Sequence, residues 1–147
     1  VTGTVDTDTL NALGLGREAA VAYTPTRGVS TNDDVMLLSR VIHAEAKGEP
    51  FTGKVAVGAV ILNRIESPIF PNSLSGVLFQ PRAFESVSNG TVWNEPDAES
   101  VRAAQNALSG WDPSYGCLYF WNPATSTSKW IWSKKPVMRV GKHVFAR

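Results

Sequence analysis

The chain has 147 residues, 43% apolar and 18% charged, a length and composition suited to one globular domain with or without a short appendage. Fourteen Lys and Arg against thirteen Asp and Glu give a net charge of +1, with no basic run to track a phosphate backbone, so nucleic acid is not an expected partner. The single Cys117 makes no internal disulfide or thiolate metal cluster, and the longest apolar stretch, Val55 to Leu62, is far short of the roughly 20 residues that span a bilayer.

Residues 1–16 hold one short helical pattern in which Asp6 or Thr7 caps and Leu10 and Leu13 face inward. That segment makes no core alone, and residues 17–31, small and polar with Pro25 and Gly28, read as a linker. The chain starts on Val1 without a basic and apolar leader, so the expectation is a piece of a longer protein whose targeting signal has been removed.

The compact unit is expected from residue 32 to residue 147. Thr31 and Asp34 form a capping box, and Val35, Leu38, Val41 and Ile42 recur at helical spacing until Gly48 and Pro50 stop the run, which predicts a helix over 32–47. KVAVGAVILNRI, residues 54–65, is apolar almost all round. Its Val-rich start also fits a strand, but its length favours a buried helix. A third helix is predicted over Pro96 to Leu108, with Pro96 in the first turn and Gly110 beyond the last. After Gly110 come CLYFW, SKWIWS, PVMRV and HVFAR, which read as strands or extended loops. Helices first and strands last indicate an α+β domain.

Glu45 lies in line with Leu38 and beside Val41 and Ile42, so its carboxylate emerges along the buried stripe of the first helix. Desolvation there raises the pKa of an acid, leaving it protonated and able to donate to a leaving oxygen. The alternative is an ion pair with Lys47, Lys54 or Arg64, and helical spacing alone does not decide. His43-Ala44-Glu45 is half of the zinc deaminase pattern, but the P-C-x-x-C half is absent. His143 and Cys117 read as structural residues. No G-x-S-x-G, Walker or dinucleotide glycine motif occurs.

Seven of the fourteen aromatics fall within residues 111–132. Tyr and Trp suit stacking on sugar rings while hydrogen-bonding their hydroxyls. Alternation along a strand puts Tyr119 and Trp121 on one face and Phe120 on the other; one face is expected to line a groove and the other to pack. Tyr119, Trp121 and Asn122, at the strand end before Pro123, are candidates for substrate binding. Glu85 is the best candidate for a second carboxylate near the site.

AEAKGEPFTGKVAVGAVILNR (44–64), FPNSLSGVLFQPRAFESV (70–87), ALSGWDP (107–113), LYFWNP (118–123), SKWIW (128–132) and VGKHVFAR (140–147) together resemble, in order, the catalytic domain of the SleB/CwlJ family of spore-cortex-lytic cell wall hydrolases. The ALSGWDP, SKWIW and GKHVF segments look more like the SleB branch. TGTVDTDTLNAL, residues 2–13, is similar to the closing helix of a peptidoglycan-binding repeat. The resemblance implies a lysozyme-like helical core followed by a small β-rich part. It also implies lytic transglycosylase action on cortex peptidoglycan containing muramic-δ-lactam during germination. Glu45 would be the one catalytic carboxyl, and Glu49 of the same motif would orient the turn. No metal or organic cofactor is implied. The implied location is outside the cytoplasm of a spore-forming bacterium, in association with the membrane protein YpeB.

Overall fold

The computed structural model describes residues 32–126 and 129–147. The expected helix within 1–16, the linker 17–31 and the Thr31 cap lie outside the described residues.

Three helices build the core. α1 runs Asn32–Glu45, α2 Phe51–Glu66 and α5 Ala98–Leu108, with the short helices α3 (Leu74–Leu78) and α4 (Glu85–Ser88) and a 3₁₀ turn (Thr91–Trp93) between the last two. α2 is helical, as its length suggests, and every residue from Gly53 to Leu62 is buried because α1 and α5 pack against it and against each other. Close approach requires small residues at the crossing. A Cβ added at Gly58 would stand 3.3 Å from the Ala107 Cβ of α5 and 2.8 Å from Ile42 Cδ1 of α1.

α5 begins two residues later than its pattern suggests. Asp97 is the N-cap, its Oδ1 accepting the Ser100 N–H at 2.8 Å, and Pro96 precedes the cap instead of occupying the first turn. The segment between α2 and α5, in which the sequence shows no helical period, folds as short turns. Ser73 caps α3 by accepting the Gly76 N–H.

The C-terminal part is a three-stranded antiparallel sheet of β1 (Tyr119–Trp121), β2 (Met138–Val140) and β3 (His143–Ala146), with β3 in the middle. The KWIW part of this run is neither strand nor extended loop: Lys129–Trp132 form a one-turn helix, α6. Phe120, Phe145 and Met138 share the face that packs on the helical core. Tyr119, Trp121, Val144 and Ala146 share the other, where they pack with Phe70, Leu118 and Ile131 of α6 in a second small core.

Glu49 joins the two halves. Buried just after α1, its Oε1 accepts the Lys142 N–H at 2.9 Å and so holds the β2–β3 turn against the start of α2. Gly141 permits this approach: its φ is +58°, and a Cβ there would lie 2.9 Å from Pro50 Cδ and run into Glu49 Oε1. Gly141→Ala is expected to lower stability by about 1–3 kcal/mol from left-handed strain and overpacking, read from denaturant unfolding midpoints.

Candidate active site

Glu45 ends α1, half-buried, where the helix stops and the chain turns through Gly48 at φ +82°. Burial pushes its carboxyl above the ordinary 4.5. The Ser86 hydroxyl and N–H pull the other way, and Glu85 adds to the rise by like-charge repulsion. The Ser86 Oγ is buried without a hydrogen bond of normal geometry, so it acts as a nearby dipole, and burial prevails.

The cations that sequence offered as partners are elsewhere. Lys54 pairs with Glu99 at 2.5 Å, tying α2 to α5. Arg64 donates from Nε to the Leu118 carbonyl at 2.7 Å, and Lys47 is exposed. Among the described residues Glu45 makes no ion pair. Burial without a counterion is the arrangement that raises a carboxyl's affinity for its proton. Glu85, exposed at the start of α4, is the carboxylate that the fold brings near it.

The three strand candidates are placed differently from the expected groove. Tyr119 is 9% and Trp121 7% exposed, both in the small core with Ile131, so as placed they pack and present no open face to a sugar. The Oδ1 of Asn122 accepts the Ala124 N–H at 2.9 Å, closing the turn after β1. Two open rings that stack on each other lie on another part of the molecule. Phe79 and Trp93, 44% and 58% exposed, stack at 6.3 Å and 19° and, with Asp33, Met36, Leu37 and Arg40, line an open groove of about 350 Å³ along α1. Arg40 fixes this wall by donating from Nη1 to the Trp93 and Asn94 carbonyls, and the 3₁₀ turn carrying Trp93 also packs on α4 beside Ser86. Neither ring is marked by hydrophobic period in the sequence, because both sit in segments too short to show one.

A profile of the cell wall hydrolase family matches residues 48–146. The chain belongs to the cell wall hydrolase family. The match begins three residues after Glu45, and other likenesses reach further. The spore cortex-lytic enzyme of Bacillus subtilis is 46% identical over 129 residues, 88% of this chain and 42% of that protein, so the chain spans less than half of that relative. The solved catalytic domain of the germination-specific lytic transglycosylase SleB from Bacillus anthracis is 43% identical with a TM-score of 0.77, covering 80% of this chain and 97% of that one. The catalytic domain of Bacillus cereus SleB is 41% identical with a TM-score of 0.76, covering 88% of this chain and all of that one. The helical core with a small C-terminal sheet agrees with these structures.

Within this cell wall hydrolase domain, Asn63, which sequence reading passed over, and Arg64, which it offered as a partner for Glu45, are structural clamps. Asn63 Nδ2 donates to Asp112 Oδ2 and to the Cys117 carbonyl, both at 3.0 Å. Asp112 sits partly buried, which alone would raise its pKa, but bonds from Ser114, Asn63 and Gly116 outweigh burial and hold the carboxyl low. Arg64 is buried among Phe70, Phe84 and Tyr119, its guanidinium 4.9, 5.5 and 5.5 Å from their ring centres, and burial lowers its pKa to about 10. Burial likewise pushes the Cys117 thiol up and His143 down, which leaves both uncharged, as expected of structural residues.

Two measurements test these placements. Because burial raises the Glu45 pKa in the folded protein, the fold holds a proton that the unfolded chain releases, and stability falls as pH rises from 4.5 through the raised value. Glu45→Gln lacks that loss. Its stability relative to the native domain should therefore be lowest at about pH 4 and increase toward neutrality, read from melting temperatures across pH. Trp121→Ala should cost about 3–5 kcal/mol of stability, as for a core aromatic, in chemical denaturation.

Proposed function

We propose that this domain is a lytic transglycosylase that cleaves the glycan strands of spore-cortex peptidoglycan, with Glu45 as its acid and then its base. The observation that carries the reading is a half-buried carboxyl of raised pKa, without an ion pair among the described residues, at the helix end beside Ser86. The relatives' names, spore cortex-lytic enzyme and germination-specific lytic transglycosylase, support the substrate and the reaction class.

The chemistry follows from one carboxyl. Protonated Glu45 gives its proton to the glycosidic oxygen as the bond from muramic C1 to that oxygen breaks. The C6 hydroxyl of the same muramic residue, held at high effective molarity, closes on C1, and its proton passes to the Glu45 carboxylate. The products are a 1,6-anhydro end and a new free hydroxyl, and the acid is restored without water. Phe79 and Trp93 are the sugar platform in this reading, since they are the open stacked rings on a groove along the same helix. The same proposal puts the enzyme outside the cytoplasm of a spore-forming cell, in functional association with YpeB.

The exposed Glu85 beside Glu45 favours one rival, hydrolysis in which a second carboxylate activates water. Mass analysis of the fragment ends separates the two, because an anhydro end is lighter than a reducing end by one water. On cortex sacculi, Glu45→Gln is expected to lose at least about 10²-fold in rate while keeping its circular dichroism, and the native rate should fall as pH rises through the raised Glu45 pKa. Glu85→Gln should lose far less. Equal losses in two folded variants, or reducing ends in the product, would favour the hydrolytic mechanism.

A further inference from the structure

The near-neutral total charge hides a division along the chain. Residues 32–112 carry ten Asp and Glu against six Lys and Arg, whereas residues 113–147 carry Lys129, Lys134, Lys135, Arg139, Lys142 and Arg147 and no acidic residue at all. Folding does not neutralise the basic part. None of those six side chains is in an ion pair among the described residues, where the pairs are His43 with Asp97 and Lys54 with Glu99.

Three features bring this charge together with an open ring on the outer face of the sheet. Arg139 pairs across the sheet with Val144 and so points to the same face as Trp121, away from the helical core, and it is exposed. Lys134 lies over the rings of Tyr119 and Trp130, its Nζ 4.3 and 4.9 Å from their centres. Trp130 is 58% exposed and stands edge-on to Tyr119 at 5.4 Å. Lys135 follows, exposed. Beneath this face, buried side chains lead toward α4. Tyr119 touches the Arg64 guanidinium, which touches Phe84, two residues before Ser86.

We propose that this outer face, with Lys134 over Trp130, Lys135 next to it in the chain and Arg139 further across the sheet toward the Gly141 turn, is a second substrate-binding surface that holds the carboxylates of the peptide side chains borne by the wall glycan. Charge complementarity argues for that occupant: an unpaired basic face suits a polymer bearing repeated carboxylates, and long-range attraction concentrates such a polymer near the enzyme. The inference rests on the reading of the domain as a peptidoglycan-cleaving enzyme.

The test compares the native domain with Lys134→Gln/Lys135→Gln/Arg139→Gln, and with a charge-keeping control, Lys134→Arg/Lys135→Arg/Arg139→Lys. Each is assayed on sacculi, on sacculi whose carboxylates are capped as neutral amides, and on glycan stripped of peptides by an amidase and then capped in the same way, because the amidase frees a lactyl carboxylate on each muramic residue it strips. The neutral triple variant should bind native sacculi about tenfold more weakly at low salt, with a flatter salt dependence. It should match the native domain on both carboxylate-free substrates, and the control should bind as the native domain does. Equal binding to native sacculi by the neutral variant, or the same loss on peptide-free glycan, overturns the proposal. Failure of the native domain to cleave any of the three substrates would instead overturn the enzymatic reading.

Discussion

The structure depends on burying α2 on all sides. A helix so enclosed has no solvent face on which to leave a polar side chain, so Lys54, Asn63 and Arg64 must each find a partner inside the protein. Each of those partners belongs to a different element. Lys54 reaches Glu99 on α5, Asn63 reaches the Asp112 turn and the Cys117 carbonyl, and Arg64 reaches the Leu118 carbonyl leading into β1. The desolvation penalty of one helix thereby becomes the set of tethers that fixes α5 and the sheet around it.

The same accounting explains why Glu45 differs from the other carboxylates. Asp97 and Asp112 are surrounded by donors and held low, one as a cap and the other at the centre of a turn. Glu45 stands at a helix end partly removed from water, and the cations on α2 are committed elsewhere. Its carboxyl is thus pushed above the ordinary carboxylate range by what its neighbours do not supply, a property that arises from packing α2 more than from any group designed to touch the acid.

Glu49, four residues on, links this region to the sheet. By accepting the Lys142 N–H it sets the β2–β3 turn against the start of α2, so the segment that ends α1 also positions the C-terminal strands. Two acidic residues of one short motif therefore have opposite requirements: one is buried and accepts a backbone N–H, and the other is left without a counterion among the described residues.

The sequence by itself determined the elements whose signals are local and periodic. The stripe of Leu38, Val41 and Ile42, the apolar run of α2, the body of α5 and its stop before Gly110, and the alternation of Tyr119, Phe120 and Trp121 were all legible, as was the position of Glu45 on the buried stripe. Family resemblance carried over to the observed fold because it rests on many segments in fixed order. Tertiary structure alone decided which face of β1 meets the helical core, since alternation defines two faces without ranking them, and the helices had already claimed the one bearing Phe120 and Phe145. It also turned the KWIW part of SKWIWS into a helical turn over the outer face, where four residues are too few to carry a period. The open rings at Phe79 and Trp93, and the separation of Glu45 from every cation proposed for it, depend on which distant segments meet. No spacing along the chain encodes that meeting.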